Sequence, residues 1–487
     1  MASESKINMS RRDFLNVGAL SVAGTMMGVP GTPVGKMHAS EKCHKRPNIL
    51  LILTDDQHYQ ALGCQGHPFL HTPNLDALAE EGVLFDNSFV TSPTCWASRA
   101  SLFLGQYALT HGVHDAQVDL EPEQIQGLYP VLLRQHGYYT GYIGKFGVGF
   151  NAPKDAFDYF DGLPGDTRYI QRHNGKNRHM TRILTDKALW FLQNCPEDKP
   201  FCLSVGMKAP HAEDYAVHPF PAEADFVDWY SKASLPENLL YDKRHFEALP
   251  EFLKNSEGRN RHQYTFSSQS QAVASLRNYY RLISGIDRAV AELRTQLAVQ
   301  GLADNTIIIF TSDNGYCTGE RGLEGKWLPY EDMIRVPLVI MDPRDGTNRG
   351  SHESRMVLNI DLAPTILSMA EMVTPASMHG KDLSALLYGD TSAWRQHWMF
   401  ENRYDHPAIP HSVGMRTDRW KYIHWQNDTG CRMNNRQSSL GEHSEELYDL
   451  HQDTHEVRNL AMLDEHQATL NQMRTLLTKV QQSYACA

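Results

Sequence analysis

The strongest constraint on this chain is a set of short, uninterrupted apolar runs separated by stretches of helical pattern. The runs are "NILLIL" (48–53), "YTGYI" (139–143), "FCLSVG" (201–206), "TIIIFTS" (306–312) and "VPLVIM" (336–341). They are continuous rather than alternating, as strands covered on both faces must be. Between them lie "TPNLDALAEEG", with Thr72 as cap and Pro73 following, "YPVLLRQHG", closed by Gly137, and a long helical pattern across 271–300. Strand and helix in alternation predict an α/β fold with a largely parallel sheet over residues 46–375. Residues 212–270 lack periodicity and are rich in Pro, Tyr, His and charge. They read as a long insertion of the kind that shapes a substrate mouth. The stretch 342–355 reads as a surface loop. From 376 to 487 the pattern changes to short runs, "HWMFENRY", "SVGMRT", "WKYIHW" and "EELYDL", then a helical tail at 464–482. That predicts a smaller C-terminal antiparallel sheet with one helix.

A length of 487 residues suits one large and one smaller domain. The net charge of −11 argues against a nucleic-acid surface, which needs a basic face. No apolar stretch of transmembrane length follows the N-terminal region, so no stable membrane anchor is expected. Residues 1–45 contain "SRRDFLNVGALSVAGTMMGVPG", in which Arg11-Arg12 precede a weakly apolar run. This resembles a bacterial twin-arginine export signal, with the mature start between Met26 and Lys45, and implies a periplasmic or extracellular location. None of the eight cysteines has CxxC or zinc-finger spacing, although Cys195 and Cys202 flank a turn and could pair.

In open parallel sheets ligands bind beyond the carboxyl ends of the strands. After 48–53 come Asp55 and Asp56; after 139–143, Lys145; after 201–206, Lys208 and His211; after 306–312, Asp313 and Asn314, followed by Lys326. Singly these are ordinary features, since Asp-Asn-Gly is commonly a turn and Asp-Asp a helix cap. Jointly they place oxygen donors and cations at one end of a sheet. Asp55, Asp56, Asp313 and Asn314 suit a hard divalent cation, calcium rather than magnesium because their geometry is irregular. Without a cation the three carboxylates would repel one another. Lys145, Lys326, Arg99 and His211 add positive charge, and a tetrahedral anion bridging metal and cations is the implied ligand.

The segment "TSPTCWASRASLFLGQY" (91–107) fits that picture. Ser92-Pro93 reads as a cap and first helical residue, which puts Cys95 in a first helical turn, where free N–H groups attract anions. Arg99, four residues on, falls on the same face.

"CWASR" followed by "SLFLGQY" resembles the signature of the sulfatase family. So do "NILLILTDDQ", "HTPNLDALAEEGVLFDNSF", "GYIGK", "TSDNG", "GERGLEGKWLPYEDMIRVPLVI", "DLAPTILSMA" and "ELYDLHQDTHEVRNLA". The resemblance implies an alkaline phosphatase-like α/β/α sandwich and hydrolysis of a sulfate ester, with a sulfated carbohydrate as the expected substrate. It also implies that a maturation enzyme oxidises Cys95 to formylglycine, whose hydrate is the nucleophile, and that residue 95 joins the metal site. Arg99, Lys145, His211 and Lys326 match family residues that hold the diol, the sulfate oxygens and the leaving oxygen. One position departs. The family's glycine-lysine-tryptophan-histidine-leucine-glycine reads "GKFGVG" here, with Gly147 in the histidine's place. His114 and His211 are the candidates to take over its proton. A phosphate or phosphonate ester hydrolase on the same fold, and a sulfated-glycan-binding protein without turnover, are the competing readings.

Overall fold

Strand Asn48–Asp55 lies at the centre of an eight-stranded sheet. The order is Ser351–Glu353, Val83–Phe85, Leu338–Met341, Thr306–Ser312, Asn48–Asp55, Phe201–Pro210, Tyr139–Lys145, Tyr159–Leu163. This computed structural model describes residues 46–163, 167–214, 216, 218–232, 241–390, 392–426 and 444–485. The export-signal reading of residues 1–45 lies outside them. The five strands from Thr306–Ser312 to Tyr159–Leu163 are parallel, with Leu51 opposite both Ser204 and Ile309. Leu338–Met341 runs antiparallel to both neighbours. It starts two residues later than the apolar run predicts because Pro337 has no N–H for the ladder.

Side chains of the central strand alternate between two cores. Leu50 and Ile52 face one core, covered by helices Pro73–Glu81, Met180–Asn194 and Gln269–Val299. Ile49, Leu51 and Leu53 face the other, covered by Cys95–Leu104, Tyr129–Gln135 and Leu362–Met369. Each such fully buried aliphatic side chain contributes about 1.5–3 kcal/mol. The architecture is the expected α/β/α sandwich with a large, mostly parallel mixed sheet.

Two expectations need correction. The stretch 342–355 is not all loop, since Ser351–Glu353 forms an edge strand parallel to Val83–Phe85. Three residues are too few to show a period. Cys195 and Cys202 are both free thiols. Cys202 belongs to the core on one side of the sheet and Cys195 packs against the core on the other, so the sheet separates them.

The C-terminal region forms the predicted antiparallel sheet of His397–Asn402, His411–Thr417, Trp420–Gln426 and Glu445–Asp449, followed by helix Gln467–Ala485. Its core includes Trp398 and Trp425 and is continuous with Phe89, Leu328, Tyr330 and Met333. Buried ion pairs reinforce that contact: Lys421 Nζ reaches Glu456 Oε1 at 2.6 Å and Glu331 Oε1 at 3.1 Å. This joins the small sheet to the loop that carries Lys326.

Candidate active site

The parallel strands carry polar residues at or just past their carboxyl ends, and these ends converge. Strand Phe201–Pro210 runs four residues beyond its apolar run, so Lys208 lies within it and His211 just after it. Asp55 ends its strand, and Asp56 follows with φ +65°, a left-handed conformation that Asp tolerates better than most residues. That turn brings Asp56 Oδ1 to Asn314 Nδ2 at 2.5 Å and to Lys326 Nζ at 2.6 Å. Carboxylate oxygens of Asp55, Asp56 and Asp313 lie within 4.8 Å of one another. Asp55 Oδ1 and Asn314 Oδ1 are buried and have no hydrogen-bond partner among the described residues. Buried oxygens short of hydrogen bonds are costly, and these two, Asp55 Oδ1 having Lys326 Nζ 3.5 Å away, fit a hard cation at the clustered carboxylates. Burial pushes the Asp55 carboxyl up, but Lys145, His211, Lys326 and Arg99 outweigh it and hold it well below the usual range. Burial and the Asp55 charge push the Asp313 carboxyl up.

Helix Cys95–Leu104 begins two residues later than the sequence suggests. Thr94 is the cap residue, and its carbonyl accepts the first helical bond from Ser98 N at 2.9 Å. Pro93 is held outside the helix because its carbonyl accepts Trp327 N at 2.9 Å. Cys95 therefore stands at the first helical position, with Lys326 Nζ 2.9 Å and Lys145 Nζ 3.7 Å from its sulfur. Lys145 also pairs with Asp55 Oδ2 at 2.5 Å. Burial pushes the Cys95 thiol up to about 11 despite both lysines, so the unmodified thiol is a poor nucleophile near neutral pH.

Arg99 shares the helix but lies beneath the site. It is fully buried, donates from Nε to Asp313 Oδ2 at 2.7 Å and comes within 4.0 Å of Asp55. His211 Nδ1 lies 2.6 Å from the Ala212 carbonyl. With Nδ1 engaged there, the other ring nitrogen, Nε2, faces the site, 3.6 Å from Asp56 Oδ2. Asp55, Cys95 and His211 form a second close group. Lys208 lies to one side, over the Tyr169 ring. The His114 carbonyl accepts Trp96 Nε1, but unlike His211 this histidine is not among the residues lining the cleft.

That cleft, of about 680 Å³, has Cys95, Lys145, His211 and Lys326 at its floor. Its walls include side chains the sequence did not single out. Asp214, Glu257 and Arg261 come from the 212–270 insertion. Arg261 bonds Asp214 Oδ1 at 2.5 Å and Glu257 Oε1 at 3.0 Å and lies over the Trp327 ring. Trp96, Trp327 and Tyr404 add aromatic surface. Trp327 has φ +81°, a strained conformation for so large a residue, fixed by the Pro93 contact and by Asn402 Nδ2 on its carbonyl at 2.7 Å. Positive-φ strain leaves no pattern in sequence. Gly147 also has positive φ, +70°, and a Cβ there would lie 2.8 Å from Arg99 Cδ.

The Sulfatase family model matches residues 47–372, and the model described as N-sulphoglucosamine sulphohydrolase, C-terminal, matches 319–483. An N-acetylglucosamine-6-O-sulfatase of Bacteroides thetaiotaomicron is 30% identical, over 90% of this chain and 87% of its own length. A solved structure described as in complex with its substrate D-glucosamine-2-N,6-O-disulfate has a TM-score of 0.76 at 26% identity, covering 90% of this chain and 98% of that one. A phosphonate monoester hydrolase of Agrobacterium radiobacter shares the fold, with a TM-score of 0.71 at 21% identity over 90% of this chain and 96% of its own. The chain belongs to the sulfatase family, the sulfuric ester hydrolases built on an alkaline phosphatase-like fold.

Proposed function

We propose that this protein is an exported, calcium-dependent sulfatase that removes a sulfate ester from a sulfated amino sugar, with Cys95 in its formylglycine form. The observation that carries the reading is the convergence of Asp55, Asp56, Asp313, Asn314, Lys145 and Lys326 around residue 95 at the floor of one cleft. The amino-sugar preference rests on the relatives that act on glucosamine sulfates.

Asp55, Asp56, Asp313 and Asn314, together with residue 95, would hold the metal. The metal would supply charge neutralisation, and the hydrated aldehyde an oxygen nucleophile. The remaining work belongs to ordinary side chains. Lys145 and Lys326 flank residue 95 and cradle the oxygens of the incoming sulfuryl group. His211 Nε2 carries the proton for the leaving oxygen, a role worth roughly 10²–10⁴-fold in rate. Arg99 holds Asp313 in place from below. In the absence of a histidine at 147, His211, which groups with Asp55 and Cys95, serves the second proton transfer as well.

Two competing readings are tested together. Matched aryl sulfate and aryl phosphate esters should be cleaved with a preference for sulfate; a preference for phosphate would favour the phosphonate-hydrolase reading. Defined saccharides, including N-acetylglucosamine 6-sulfate, should release inorganic sulfate, and binding without release from fully modified protein would favour a glycan-binding role. Chelation should abolish release and calcium restore it, whereas indifference to chelator removes the metal assignment.

Gly147→His is expected to harm the enzyme rather than complete it. Its Cβ would press on Arg99, whose guanidinium is buried and bonded to Asp313. A displacement of that kind lowers kcat by roughly 100-fold, and the left-handed backbone costs about 1–3 kcal/mol of stability. Steady-state kinetics and thermal unfolding read both effects. A gain in kcat would show that the site lacks this base and has room for it.

A further inference from the structure

Phenylalanines 146, 157 and 160 pack on one another. Phe150 joins no ring contact among the described residues and is 75% exposed, yet it lines the same cleft as Cys95 and Lys326. What sets this ring apart from other exposed apolar side chains is its place on the cleft that holds Cys95 and Lys326. Its presentation is enforced by the loop. Asn151 donates to Asp119 twice, from its backbone N to Oδ1 at 2.8 Å and from Nδ2 to Oδ2 at 2.6 Å. Gly149 has φ +63°, and a Cβ there would fall 2.1 Å from Asp119 Oδ1, so only glycine lets the loop lie this close. The two anchors flank Phe150 and leave its ring outside. Lys154, at the start of the short turn Lys154–Ala156, is exposed, lines the same cleft and makes no ion pair among the described residues.

We propose that Phe150 and Lys154 form a subsite for a second, negatively charged sugar ring adjoining the one whose sulfate is removed. This rests on the sulfated-sugar reading above. The C–H face of a pyranose is apolar and weakly positive and stacks on the negative face of an aromatic ring. The Lys154 ammonium meets a sulfate or carboxylate on that same ring. A monosaccharide engages the floor alone, while an oligosaccharide spans floor and rim.

The test compares kcat/KM for glucosamine 6-sulfate with that for a tetrasaccharide ending in the same unit and carrying anionic neighbours. Phe150→Ala is expected to lower the tetrasaccharide-to-monosaccharide ratio about fivefold, and Phe150→Tyr to keep it. Lys154→Gln lowers the ratio too, by a margin that shrinks as salt is raised. An unchanged ratio in Phe150→Ala overturns the proposal. Should the wild type release sulfate from neither sugar, the sulfated-sugar reading fails by itself. Tetrasaccharide affinity then reads the subsite, with weaker binding by Phe150→Ala supporting it and equal binding overturning it.

Discussion

Cys95→Ala is expected to reduce sulfate release by roughly 10⁴- to 10⁶-fold, the scale of loss when a covalent nucleophile is deleted. It should leave the protein folded. Residue 95 is the first of helix Cys95–Leu104, where alanine is well tolerated, and only one sulfur atom leaves the packing. Unfolding stability should therefore fall by only about 1 kcal/mol. The partners of residue 95 make the loss specific. With the side chain gone, Lys326 and Lys145 keep Asp56 and Asp55, so the anion cradle persists without its nucleophile. Cys95→Ser sharpens the test. A serine hydroxyl that attacked sulfur would form an ester needing a second displacement, so release of the alcohol should stop after about one equivalent per enzyme. The peptide containing residue 95 should have the mass of the aldehyde in active wild-type protein and of the thiol in protein made without the maturation enzyme. Steady turnover by Cys95→Ala would end the proposed mechanism.

What sequence revealed about this site follows from how it is built. Asp55, Lys145, His211 and Asp313 were legible because each follows an apolar run, and a parallel sheet brings such ends together. The four strands of the C-terminal sheet were legible from their short runs for a similar reason. Arg99 was legible only in part. Helical spacing puts it on the side of Cys95, but its guanidinium goes to Asp313, 214 residues away in sequence. Spacing of four says nothing about that choice. Asp214, Glu257 and Arg261 come from a segment with no period, and their meeting at the cleft depends on tertiary packing. Trp327 owes its conformation to contacts with Pro93 and Asn402. Gly147, although conspicuous in sequence, owes its intolerance of a side chain to positive φ and the nearness of Arg99. These are properties of the folded backbone.

Lys421→Met is expected to destabilise the protein by about 3–5 kcal/mol at neutral pH, the cost of stripping one partner from a buried ionic cluster. The Lys421 side chain is 0% exposed and holds Glu331 and Glu456, which also face each other through the bond from Glu331 N to Glu456 Oε2 at 2.8 Å. Arg416, 3.3 Å from Glu331, and Arg321, 3.8 Å from Glu456, remain but sit farther off. Burial pushes the Glu331 carboxyl up, yet Arg416 and Lys421 overcome it and draw it down to about 2 from an ordinary 4.5. A carboxylate depressed in this way adds stability above pH 4.5 and loses it as pH falls toward 2. Removing Lys421 raises that carboxyl and so weakens the contribution. Burial pushes the Glu456 carboxyl up against the pull of Lys421, and losing that lysine raises it further. The variant's deficit should accordingly be greatest at neutral pH and shrink on acidification as both carboxyls take up protons. Because Glu331 begins the helix Glu331–Ile334, five residues beyond Lys326, kcat should fall along with stability. Chemical unfolding across pH 3–7, paired with kinetics, reads both. A loss below about 1 kcal/mol, as for a surface pair, and the same at every pH, would mean that apolar packing at Trp398, Trp425 and Tyr330 seats the small sheet instead.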